Sequence, residues 1–416
     1  MKLRSSDILT LLLLTAPAAM MLQSCTYHDK VIINERHEIV IGVASAGTKG
    51  IIDNEDGSER LANMVKQCFN GSTLKENAGF GVFGFKKVIE TSSFLFDNQL
   101  VHPDPTSYAA NTAHPEYTDW VYSPLRFWDL TASYQFIGYW PYSAATSGSG
   151  FYVTSSAPDS PTPIEDAHKQ IILHNVPNWQ LVDGTENDIM TATKVGRYNP
   201  DFSYVGSVRM SFHHILSQLE VKAYYIGTNI DNDGGVEIHE ITLSESDDIT
   251  LLDKNGNVVL DEQAQQPQTF RVQVLNNGTT DFKQRYDDDN PIELTTNNLT
   301  NSYTLPWSTT YKKIAFKDET KPNAVVDPTV VNRWLMIPHR WQKLKMKVKY
   351  MERNDVIISE PVEVTLGAEF DDYKTLPGKR YVITLLLNTS NGSVTVADVA
   401  VERWTTHEIE RTFYNW

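Results

Sequence analysis

The chain has 416 residues, enough for two or three domains that each bury a core of their own. A composition of 41% hydrophobic and 11% aromatic residues excludes a disordered chain, and a formal net charge of -16 argues against phosphate backbones and anionic lipid as main partners. Only Cys25 and Cys68 carry thiols, which excludes a disulfide framework and a cysteine-built zinc site.

In chain order, Lys2 and Arg4 precede an apolar run from Ile8 that continues to Leu22, the pattern of a secretion signal over residues 1–24. The run ends in Leu22, Gln23, Ser24 and Cys25, which resembles a bacterial lipobox. That resemblance makes Cys25 the lipidated first residue of the mature chain, with the outer membrane as its anchorage. Val31 to Ile33 and then Ile39, Ile41 and Val43 predict two strand-like pieces, the second in clean alternation. A polar segment rich in turn residues follows and ends near Arg60, and it is expected to be accessible.

The rest of the first half is aromatic and strand-rich. Gly79 to Phe85 interleaves glycine with phenylalanine, as a crowded sheet interior requires. In the run from Tyr134 to Pro141, Tyr134, Phe136 and Trp140 share one strand face and Gln135, Ile137 and Tyr139 the other. Core packing is the expectation; an exposed platform for sugars, with Trp120 and Trp140 as its rings, is the alternative. Thr146 to Thr162, full of Ser, Gly and Pro, predicts a surface loop.

The run from Val208 to Tyr225 alternates, breaks for about a turn at residues 213–218, and alternates again. It is expected to open a second domain, with residues 25–198 forming the first and 199–416 the second. Asp231 to Gly235 predicts a turn, since it lacks the bidentate glutamate of a calcium loop. Leu344, Met346, Val348 and Tyr350 alternate with lysines, one face core and one wet, and Glu352 to Asp355 turns the chain into a hairpin. Lys379 to Leu387 and Val394 to Arg403 close the series of strands.

Several of these stretches stand in the order found in a known family. Asp188-Ile-Met-Thr-Ala192 followed by Phe212, His214, Leu216, Leu219 and Val221 in the pattern F-x-H-x-L-x-x-L-x-V resembles the fimbrillin-type surface proteins of Gram-negative anaerobes. So do Trp334 to Pro338, Gly378 to Leu385, and the valine-rich end with Trp404 and a short tail. The resemblance implies an all-β, mostly antiparallel protein of two β-sandwich domains in tandem with few short helices. It further implies a pilus subunit, exported as a lipoprotein and located in the fimbrium at the cell surface. In that family a trypsin-like protease cuts behind the first strand. The matching position is Lys49, where arginine is commonly expected, with Arg36 and Arg60 as competing sites.

No Walker loop, GxGxxG, HExxH or GxSxG pattern occurs, so no catalytic role and no cofactor is expected. His213 and His214 are adjacent on a strand, face opposite ways, and cannot easily share a metal. Assembly is the function expected instead. Removal of the strand around Ile39 to Val43 would open a sheet edge. The segment after Trp404, with Ile409, Phe413 and Trp416 as anchors, is the candidate donor. Expected partners are other pilus subunits, the outer membrane through Cys25, and a host glycan or protein, with no nucleic acid. A non-polymerising outer-membrane lipoprotein of the same fold, either a pilus anchor or tip or a glycan-binding module, is the alternative.

Overall fold

The computed structural model describes residues 38–43, 57–89, 91–129, 131–155, 170–177, 179–183, 188–197, 207–244, 250–252, 258–259, 269–275, 284–286, 293–295, 303–307, 311–321, 326–336, 344–364 and 377–403. The principal elements in the first half are β1 (Val40–Val43), α1 (Gly57–Gln67), β2 (Phe80–Val88), β3 (Thr91–Pro103), α2 (Pro105–Ala110), β4 (Ser133–Trp140), β5 (Tyr152–Ser155), β6 (Gln170–Pro177), β7 (Gln180–Leu181) and β8 (Met190–Arg197). They continue with β9 (Ser207–Met210), β10 (His213–His214), β11 (Ser217–Ile226), β12 (Val236–Ser244), β13 (Thr269–Leu275), β14 (Thr329–Met336), β15 (Leu344–Glu352), β16 (Asp355–Ile358), β17 (Lys379–Asn388) and β18 (Ser393–Arg403). Shorter strands are given by residue range. Most pairings are antiparallel, and the expected all-β class holds.

A sheet ordered β10, β8, β4, β2, β3 and Trp120–Val121 forms the middle of the first half. Its strands β2 and β4 are apolar on both faces, and each face meets a core. Phe80, Val82, Tyr134 and Phe136 point to the core that α1, β1 and β9 complete. Phe83, Phe85, Ile137 and Tyr139 point the other way, to a core shared with Val153 of β5 and Ile171 and Leu173 of β6. The interleaved glycines make room for these rings: a Cβ on Gly81 would lie 2.1 Å from the Tyr139 ring.

The remaining core lies between a sheet ordered β7, β14, β11, β17, β18 and a second one containing β12, β15 and β16. Leu219, Val221 and Ala223 of β11 face Ile238, Val348 and Tyr350 across it. The lysine strand behaves as the alternation predicts, with Met346 and Val348 buried and Lys347 exposed. Arg353 and Asn354, with φ of 50 and 72, make the two-residue turn into β16. Asp231–Asp233 is a single helical turn closed by Gly234 at φ 101, where the Asp231 carboxylate accepts from the Tyr225 hydroxyl at 2.6 Å.

Two expectations change. Arg60 is not on an open polar segment, because its backbone lies in α1. The signal was the spacing of Leu61, Met64, Val65 and Cys68, which turns one helical stripe into the first core. The loop expected from Thr146 to Thr162 is interrupted by β5, since Val153 supplies a buried apolar anchor within the Ser-rich run. The Val208–Tyr225 run contributes to both sets of sheets. Strand β9 pairs with β1 and β10 with β8, while β11 pairs with β14 of the second set of sheets.

Cys68 follows α1, fully buried, and its Sγ–H donates to the Met64 carbonyl at 3.3 Å. Burial pushes its thiol up to about 12, against a smaller opposite pull from Lys75. Since the thiolate is the nucleophile, thiol reagents should leave Cys68 unmodified in the native protein at pH 8 and react in denaturant. Rapid native labelling would contradict this burial.

Candidate functional site

The site follows from the alternation in Ile39-Val-Ile-Gly-Val43. Ile39 and Ile41 point inward and are 0% and 1% exposed, whereas Val40 between them points outward at 44%. Each edge of this segment is held by a different part of the chain. On one side β1 runs parallel to β9, Val40 opposite Ser207 through Val43 opposite Met210. On the other, the Ile39 N–H donates to the Arg126 carbonyl at 2.8 Å, and Glu38 bridges to Phe127.

Tyr122 ties strand and rim together. Its hydroxyl donates to the Ile39 carbonyl at 2.5 Å and accepts from the Arg126 N–H at 3.2 Å. Burial raises its pKa, so it remains a neutral donor across the physiological range. The floor of the seat is the first core, with Phe80, Trp120, Val208 and Met210 among its members. Chemically the arrangement does one thing: it receives a short extended segment through backbone hydrogen bonds on both edges and apolar side chains below.

The sequence-predicted residues fall unevenly around the seat. Cys25, Arg36, Lys49, Trp404, Ile409, Phe413 and Trp416 lie outside the described residues. Lys49 nonetheless belongs to the connection between β1 and α1, whereas Arg36 precedes β1 and Arg60 lies within α1. The sugar-platform reading fails on burial: Trp120 and Trp140 are 8% and 6% exposed, their rings committed to the first core. The rim from Tyr122 to Phe127 lies in the Trp-x-Tyr-x-Pro stretch that begins at Trp120, which resembles a family element but in sequence gives no sign of contact with β1.

Two separated motifs turn out to be one contact. Asp188, ahead of β8, meets His214 of β10, Oδ1 to Nδ1, at 2.9 Å. His213 faces solvent while His214 is buried, as strand alternation requires.

Fold and seat together define an all-β architecture in which β1, the first of the described strands, completes a sandwich built by other segments. The chain belongs to the fimbrillin-like family, whose model matches residues 68–404. Membership makes it a fimbrial-type protein of the cell surface. Among solved structures it is similar to a fimbrial protein from Bacteroides vulgatus, at 14% identity and TM-score 0.47, covering 89% of this chain and 100% of that one. A candidate cell adhesion protein from Bacteroides uniformis is similar at 10% identity and TM-score 0.43, over 90% of this chain and 99% of the other. No curated protein matches the chain. Among the described residues, no helix is long and apolar enough to cross a membrane.

Proposed function

We propose that this chain is a pilus subunit, exported as a lipoprotein through Cys25, trimmed at Lys49, and polymerised when a neighbour's strand takes the place of β1. The observation that carries the proposal is the seat of β1, bounded on both edges by backbone and floored by apolar side chains. Among the three candidate cleavage sites, this reading favours Lys49, which follows β1 and precedes α1 in the chain. A cut there severs β1 from the body and leaves α1 whole; a cut at Arg36 leaves β1 attached, and one at Arg60 requires α1 to unwind.

The donor is the segment after Trp404 of another copy. An extended strand puts alternate residues on one face, so Ile409, Arg411 and Phe413 share a face and Thr412, Tyr414 and Trp416 the other. Seating the first set would press a guanidinium into the place of buried Ile41, which costs several kcal/mol. The second set avoids that and makes Trp416 the inward anchor. Deleting residues 405–416 should abolish polymers while the trimmed monomer stays folded, and Trp416→Ala should weaken assembly more than Phe413→Ala. Fibres formed at the normal rate by the truncated chain would overturn the donor role.

A further inference from the structure

We propose that the two halves of the chain act as one mechanical body, clasped by a reciprocal exchange of strands. Strand β13 lies between β12 and β14 in sequence, and both of these belong to the second set of sheets. Yet β13 pairs antiparallel with β6 of the first half, Thr269 against Pro177 through Leu275 against Gln170. Gln284–Tyr286 then pairs with β13, so the sheet formed by β5 and β6 is widened from the second half.

The first half returns the gift of a strand in the opposite direction. Gln180 and Leu181 of β7 pair with Leu335 and Trp334 of β14, and the Val182 N–H donates to the Arg333 carbonyl at 2.9 Å. Trp179 and Leu181 pack against the core of the second half. At the crossing itself, the Ile215 N–H donates to Ile189 at 3.1 Å and the Gly378 N–H to Leu216 at 2.8 Å.

Side chains close the same joint. Val274, Leu335, Ile215 and Leu216 are buried in one cluster with Phe83 and Ile137 of the first half. Rotation of one half against the other would therefore strip two strand pairings and open an apolar core. Inter-domain contacts within a chain are ordinarily small and polar enough to permit such motion. Here two ladders, the longer one interrupted by a register shift between Phe270 and Val272, join the halves, and the halves open only by unfolding.

The test uses the chain from residue 26 onward with two cysteines placed across the clasp, Ile172→Cys and Gln273→Cys, which face each other in the ladder. Mild oxidation should close the disulfide in the native state, and calorimetry of the wild type should show one transition for both halves. Val274→Asp should divide that transition in two or, if it prevents folding altogether, do so for both halves at once. Two separate transitions in the wild type, or a cysteine pair that stays reduced while the protein is folded, would overturn the clasp.

Discussion

Cutting the chain at Lys49 should turn a monomer into a subunit that assembles, and Lys49→Ala should keep it monomeric. While β1 is covalently attached, its effective concentration at the seat is high and its own contacts need not meet an association cost. Burying Ile39 and Ile41 stabilises by about 1.5–3 kcal/mol each, or roughly 3–6 kcal/mol together. Binding a separate segment costs on the order of 4–15 kcal/mol in lost freedom. The cut strand is thus held weakly or not at all, and the vacated edge presents unpaired backbone above an apolar floor. Mass spectrometry of the mature N-terminus and electron microscopy read the two outcomes. A chain beginning at Gly50 that stays solitary at high concentration would sink the strand-replacement mechanism, whereas fibres of a chain beginning at Cys25 would sink the trimming step alone.

The largest loss of stability from a single side chain is expected at Glu220. Its carboxylate sits on the face of β11 turned away from the core of the second half, with the side chain 1% exposed. Arg333, directly across on β14, donates to it, and Arg380 of β17 lies 3.7 Å away while also donating to Glu402 of β18. Lys222 reaches the other oxygen at 3.2 Å. Removing one partner of a buried network leaves the others desolvated with less compensation, which costs about 3–5 kcal/mol. Glu220→Ala should therefore lower the midpoint of thermal unfolding by on the order of 10 °C. Glu220→Gln, which keeps the shape and an acceptor, should fall between. A change below about 1 kcal/mol for Glu220→Ala would mean that water reaches the cluster.

The parts of this molecule legible in its sequence are those where one face is wet or where every side chain is large. Alternation of lysine with apolar residues places β15 and its hairpin. The density of aromatics marks β2 and β4 as interior, though only the structure shows that both of their faces are buried. The seat was legible from its own side, in Ile39 and Ile41, because period two survives in a short strand. Its rim was not, since Tyr122 to Phe127 holds β1 through a hydroxyl and a carbonyl and carries no periodicity. Strand β13 pairs across the two halves, and the choice of partner lies in register and loop path, which local pattern does not encode. Helix α1 was hidden by the polar residues that open it.

The direction of β1 has a consequence for how assembly is driven. In the monomer this strand lies alongside β9 head with head, the arrangement whose slanted hydrogen bonds are the slightly less stable per residue. A newcomer running the other way would meet β9 with perpendicular bonds and better alignment. Under the proposed exchange, a donor running the other way would gain that better-aligned pairing along β9, while the antiparallel bridge of Glu38 to Phe127 on the opposite edge would favour the direction β1 already has.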